Sequence, residues 1–134
     1  MLECNGAAGY YGLALWTELT HSDTNYPCLE DNYNKIYTMS DPNADYLGQV
    51  CYKVEAGVIK KADINFNMGY PFSISGDKNS YDLLSVLTHE LGHVMGLDHD
   101  TNNTSAVMYK SIGTGEIKRK FTALEKQYLY NLYH

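Results

Sequence analysis

The run His89-Glu-Leu-Gly-His-Val-Met-Gly-Leu-Asp-His-Asp100 constrains this chain more than any other feature. Ahead of it lies Ser80-Tyr-Asp-Leu-Leu-Ser-Val-Leu-Thr88, and Leu84, Leu87, Leu91 and Val94 recur at the spacing of an amphipathic helix. Ser80 is placed to cap that helix, and Asp82 to set negative charge in its first turn. His89 and His93 then stand one turn apart, about 6 Å along the axis and nearly in line. Two imidazoles so placed can share one metal ion. Glu90 points about 100° to the side, too far round to join them as a ligand but near enough to touch a water on that ion.

Gly96 lies just beyond the last periodic position, where a glycine can take the left-handed conformation that ends a helix and reverses the chain. The bend returns His99 towards the pair, whereas a continuing helix would carry it away. Three neutral nitrogens with a fourth position open are the arrangement of a catalytic zinc, because structural zinc sites close all four. Imidazole sets also suit copper and nickel, so spacing alone does not separate the metals. The bland alternative is three unrelated histidines. A structural zinc would need Cys4 or an acidic side chain as its fourth ligand.

His-Glu-x-x-His-x-x-Gly-x-x-His resembles the signature of the metzincin zinc endopeptidases. Met108, in Ser105-Ala-Val-Met-Tyr109 and nine residues past His99, is similar to the Met-turn of that clan. The flanking segments look most like the matrixin branch. Asp100 after the third histidine is more typical of the adamalysin branch. Lys110 stands where astacins and serralysins carry a zinc-binding tyrosine, so no fifth ligand is expected.

The resemblance implies an α+β fold: a small mixed, twisted sheet, an active-site helix, the Met-turn and a C-terminal helix. It implies a zinc-dependent endopeptidase, with His89, His93 and His99 as ligands, Glu90 as general base and Met108 as packing beneath the site. It implies an extended protein or peptide substrate, antiparallel to residues 47–54 and touching Gly48, Val50 and Tyr52. Tyr109, Lys110 and Ile112 are the candidate walls of a side-chain pocket. Structural calcium and an extracellular location belong to the same expectation. The rival from another class is a proteolytically silent peptide-binding module on the same fold. Asp100 is a candidate to orient an imidazole.

Composition adds limits. At 134 residues the chain reads as one catalytic domain over 1–134 and a monomer, trimmed or reduced at its N-terminal end. With 44% hydrophobic and 19% charged residues it has an ordinary globular composition. Net charge is −6, and Lys118-Arg-Lys120 reads as a solvated turn, so no nucleic-acid partner is expected. No apolar run approaches a membrane span, and Met1-Leu-Glu-Cys4 does not read as a signal peptide. For Cys4, Cys28 and Cys51, a Cys28–Cys51 bridge and reduced thiols stay open alternatives.

Along the chain, residues 7–20 read as a helix with Tyr11, Leu15 and Leu19 on one stripe, similar to the first matrixin helix. Residues 35–39, 46–54 and 58–66 read as strands, the last two joined as a hairpin at Glu55-Ala-Gly57. In the third strand Ile59, Ala62, Ile64 and Phe66 mostly alternate, with Asp63 and Asn65 on the other face. Residues 67–79 and 100–104 read as loops, the second with sequons at Asn102 and Asn103. Asp41, Asn43 and Asp45 resemble half a calcium loop without its glycine and distal glutamate. Thr122-Ala-Leu-Glu125 reads as a capping box opening a terminal helix, with Leu124, Tyr128 and Leu132 on one face.

Overall fold

The computed structural model describes Trp16–His21 as a strand and residues 33–134 in full. The chain divides into two compact units, residues 1–69 and 70–134. The first unit is a four-stranded mixed sheet. Its strands are β1 (Trp16–His21), β2 (Asn34–Met39), β3 (Gly48–Glu55) and β4 (Val58–Asn67), in the order β1-β2-β4-β3. β1 runs parallel to β2 and β2 parallel to β4, whereas β3 pairs antiparallel with β4. The β3–β4 hairpin turns at Ala56 and Gly57, both with positive φ, as tight hairpins require.

One expectation for this unit is corrected. The helix expected over 7–20 gives way at residues 16–21 to a strand, while 7–15 lie outside the described residues. Trp16, Thr17 and Thr20 are good strand formers, and parallel pairing of Glu18–His21 with β2 overrides the i, i+4 stripe. The face that carries Asp63 and Asn65 is covered as well: β4 is buried on both faces from Ala62 to Asn67. On its polar side Asp63 and Asn67 are held by bonds, whereas the buried Asn65 Oδ1 has no hydrogen-bond partner. Asp63 accepts from the Lys35 amide at 3.1 Å and pairs with Lys61 at 3.1 Å. Asn67 accepts from the Asp41 and Gly69 amides and donates to the Asp41 and Tyr46 carbonyls, fastening the 41–46 loop. In that loop the Asp41 carboxylate accepts from the Asn43 amide.

The second unit begins with a two-stranded parallel ribbon of β5 (Phe72–Ser73) and β6 (Tyr81–Asp82), inside and just after the stretch expected to be a plain loop. Helix α1 (Leu83–Val94) follows, then the Met108 turn, a loop, and helix α2 (Ala123–Tyr133). Among the described residues no helix is long and apolar enough to cross a membrane. The cap of α1 is Asp82, not Ser80. Asp82 accepts from the Ser85 amide at 3.0 Å, while the Ser80 hydroxyl donates to Asp77. Asp82 also holds Arg119 through two bonds of 2.6 and 2.8 Å, and this ion pair keeps its carboxyl below the usual carboxylate range.

The basic run 118–120 is therefore no solvated turn. Lys118 is buried, with its ammonium on the Ser111 carbonyl at 3.0 Å and on Glu116 at 3.3 Å, and Arg119 is committed to Asp82. The expected face of α2 is formed. Leu124, Tyr128 and Leu132 share a face, but that face is exposed, each residue keeping more than half its surface. The inner side is made by Glu125, by Leu129 packed on the cluster of Leu97, Val107 and Met108, and by Tyr133, whose hydroxyl donates to the Met95 carbonyl at 2.7 Å. Cys51 is disulfide-bonded, so reduced thiols are excluded for it; Cys4 and Cys28 lie outside the described residues.

Candidate metal centre

Helix α1 carries His89 and His93 on one side and then stops. Gly96 has φ of 103°, its amide donates to the His93 carbonyl at 3.0 Å, and Leu97 donates to the Gly92 carbonyl at 2.9 Å. These two bonds are the helix-ending pattern that a left-handed glycine makes possible. The chain reverses, and His99 comes back to the pair. One nitrogen from each of His89, His93 and His99 lies within 4.8 Å of the other two, the group of metal-ligating type among the described residues.

The imidazoles are oriented by backbone carbonyls. His89 Nδ1 lies 2.7 Å from the Val107 oxygen, and His93 Nδ1 lies 2.8 Å from the Leu97 oxygen. A carbonyl only accepts, so in both rings the proton sits on Nδ1 and Nε2 presents a lone pair. Those two Nε2 atoms face each other at 3.1 Å. A proton shared between them would resolve the repulsion, but burial opposes it, holding the His89 pKa down to about 4 and lowering that of His93. A cation between them resolves it instead. Two nitrogens each about 2.1 Å from one tetrahedral zinc stand roughly 3.4 Å apart, close to the spacing seen. The donor set fits the metal.

Asp100 does not orient these rings. Its carboxylate accepts from the Asn102 and Asn103 amides, and its own amide donates to the Met108 carbonyl. Met108 is 1% exposed and lies against Gly92, between the two helical histidines in sequence. A Cβ at Gly92 would collide with the Met108 sulfur and meet Phe121 at 3.3 Å, so glycine is what lets the turn approach the helix. Sequence reasoning passed over Gly92, although a glycine in mid-helix, costing about 1 kcal/mol, is itself a signal of close packing. Glu125 was recognised only as a cap. It also accepts from the Val107 amide at 3.2 Å and the Met108 amide at 2.7 Å.

Glu90 is buried, and loss of hydration raises its pKa from 4.5 to about 7. Of the other expected site residues, Gly48, Val50 and Tyr52 stand in the first unit on β3, an edge of the described sheet. In the second unit Tyr109 lies under the Lys118 ammonium, 5.2 Å from its ring centre; Lys110 is exposed and Ile112 half-buried.

With this geometry in hand, the comparison with known families is decisive: the matrixin profile matches residues 19–134. The chain belongs to the matrixin family. Matrixins are metalloproteases that generally bind zinc, and the three histidines form a group that could hold a metal ion. Among characterised matrixin-like proteins, karilysin of Tannerella forsythia is 35% identical over 69 residues, covering 52% of this chain. The match spans 14% of karilysin's own length. The α+β matrixin fold, with a mixed sheet and two helices among the described residues, agrees with the architecture expected from sequence.

Proposed function

We propose that residues 1–134 act as the catalytic domain of a zinc-dependent endopeptidase that hydrolyses internal peptide bonds. The observation that carries this is the pair of Nε2 lone pairs turned on each other at 3.1 Å, with His99 beside them. His89, His93 and His99 would hold zinc. When bound, zinc supplies a Lewis acid for the scissile carbonyl and makes a water acidic near neutral pH. Glu90 would serve as the general base, taking the proton of the attacking water and returning it to the departing amine. Its burial suits the task. A carboxyl stripped of water holds a proton up to about pH 7, so Glu90 can accept and return one near neutral pH.

We propose that an extended substrate pairs antiparallel with β3, at Gly48, Val50 and Tyr52. An edge strand carries unpaired backbone groups that can align an extended chain with little demand on its sequence. Tyr109, Lys110 and Ile112 are proposed as walls of a side-chain pocket. The disulfide at Cys51 supports an extracellular setting, since such bonds persist in oxidising compartments.

Metal analysis with a peptide-cleavage assay tests this reading. One zinc per chain is expected, and Glu90→Gln should keep it while activity falls by about 10²- to 10⁴-fold. His93→Ala should lower the zinc content itself. Near-native cleavage by Glu90→Gln removes the general-base role, and zinc without cleavage of any peptide by the unaltered chain favours a silent binding module. A complex with a peptide-like inhibitor tests the docking: backbone bonds to a strand other than β3 refute it.

A further inference from the structure

The Thr122–Glu125 capping box does more than start α2. In an ordinary box the glutamate returns one bond to the cap amide and leaves its remaining lone pairs to water. Here the Glu125 carboxylate is 2% exposed. Oε1 accepts from the Thr122 amide at 2.9 Å and the Val107 amide at 3.2 Å, and Oε2 accepts from the Met108 amide at 2.7 Å. A carboxylate so buried is tolerable only because three donors converge on it.

The shortest of these bonds has a consequence at the histidines. The Met108 N–H and the Val107 C=O are the two ends of one peptide group. Its N–H donates to Glu125, and its C=O accepts from His89 Nδ1 at 2.7 Å. Carboxylate, peptide and imidazole thus form one line of hydrogen bonds, each polarising the next. A negative charge on the N–H side makes the carbonyl a better acceptor. That firmer grip fixes the Nδ1 tautomer and makes Nε2 more basic, as a carboxylate bonded directly to a metal-binding histidine does.

We propose that Glu125 is a positioning residue for the metal centre, acting on His89 through the Val107–Met108 peptide. The proposal rests on the zinc reading above. It also carries a reciprocal: whatever Glu125 contributes to metal binding, bound metal returns to the anchoring of α2.

Zinc affinity, measured by competition with a chromophoric chelator, tests it through two variants. Glu125→Gln removes the charge at nearly constant shape and should weaken zinc binding roughly ten- to hundredfold. Thr122→Ala removes the hydroxyl that accepts from the Glu125 amide at 3.2 Å but leaves the carboxylate on the turn. It should lower helix stability while changing zinc affinity by less than about twofold, a split that a merely structural role would not produce. In the zinc-loaded protein the His89 Nδ1 proton should also move upfield in Glu125→Gln, reporting a weaker bond to the carbonyl.

Equal loss of affinity in the two variants, or an unchanged affinity in Glu125→Gln, overturns the proposal. Should Glu125→Gln not fold, hydrogen exchange on the unaltered chain decides. Zinc should slow exchange at the Val107, Met108 and α2 amides more than at β4, and equal slowing overturns the coupling. An unaltered chain that binds no zinc overturns the zinc reading and this one with it.

Discussion

Asp82 caps helix α1 and Glu125 closes the Thr122 capping box of helix α2, carboxylates only 1% and 2% exposed. Beyond that shared start the two helices are held in different ways. α1 is buried along most of its length, with Val86, Leu87, Leu91 and Val94 in the core and Ser85, Thr88 and Glu90 buried too. α2 buries one residue fully, Glu125, and adds the partly buried Leu129 and the Tyr133 hydroxyl bond to Met95. The difference shows that apolar spacing states how a helix could pack, while polar anchors decide which side of it does. α1 is held by packing all round. α2 is pinned by a few directed bonds at its two ends.

If that contrast is right, changes beneath α1 should have the largest effects. Met108 fills the space against Gly92, so Met108→Ala should cost about 2–5 kcal/mol in denaturant melts. Gly92→Ala drives a methyl into the Met108 sulfur and should cost about 1–3 kcal/mol. The double variant sharpens the test. Removing the sulfur makes room for the methyl, so the two costs should fall short of additivity by at least about 1 kcal/mol. Strict additivity would mean that helix and turn do not touch as described.

Much of this site was legible in the sequence, because its parts are local. The i, i+4 histidines, the glycine that reverses the chain and the methionine nine residues past His99 are all set by spacing within some twenty residues. The capping box was legible for the same reason. What spacing could not show was the second use of each polar group. Glu125 reaches the Met108 turn across 17 residues, Asp82 reaches Arg119 across 37, and Asp63 reaches the Lys35 amide across 28. Each pairing depends on tertiary approach and leaves no periodic trace. β1 was misread for a related reason, since its pairing with β2 outweighed a helical stripe.

The start of α1 yields the next effect and a pH signature. Asp82→Asn keeps a capping oxygen but gives up the charge facing Arg119, and should cost about 2 kcal/mol at neutral pH. Because the folded-state pKa of Asp82 is lowered, its carboxylate stabilises the fold fully above the unfolded value of about 3.9. That contribution is lost as pH falls through the folded value. The gap between the unaltered chain and Asp82→Asn should therefore be constant above about pH 5 and close on further acidification. A gap that widens towards acid pH would place the stabilising charge elsewhere.

The smallest expected effect bears most directly on α2. Leu124, Tyr128 and Leu132 satisfy the spacing of a buried stripe, and had they packed, Tyr128→Gln would remove a large ring from a core at a cost of about 3 kcal/mol or more. In the structure Tyr128 keeps 52% of its surface, and a substitution there loses little that water does not already touch. Glutamine has the better helix propensity, which offsets part of what remains. Tyr128→Gln should thus change stability by no more than about 0.5 kcal/mol and leave zinc affinity unaltered. Leu129→Gln, one position along, should cost about 2 kcal/mol because Leu129 packs against Val107 and Met108. If instead Tyr128→Gln proved the costlier of the two, α2 would be rotated by about one residue from the orientation described, and Glu125 could not reach the turn.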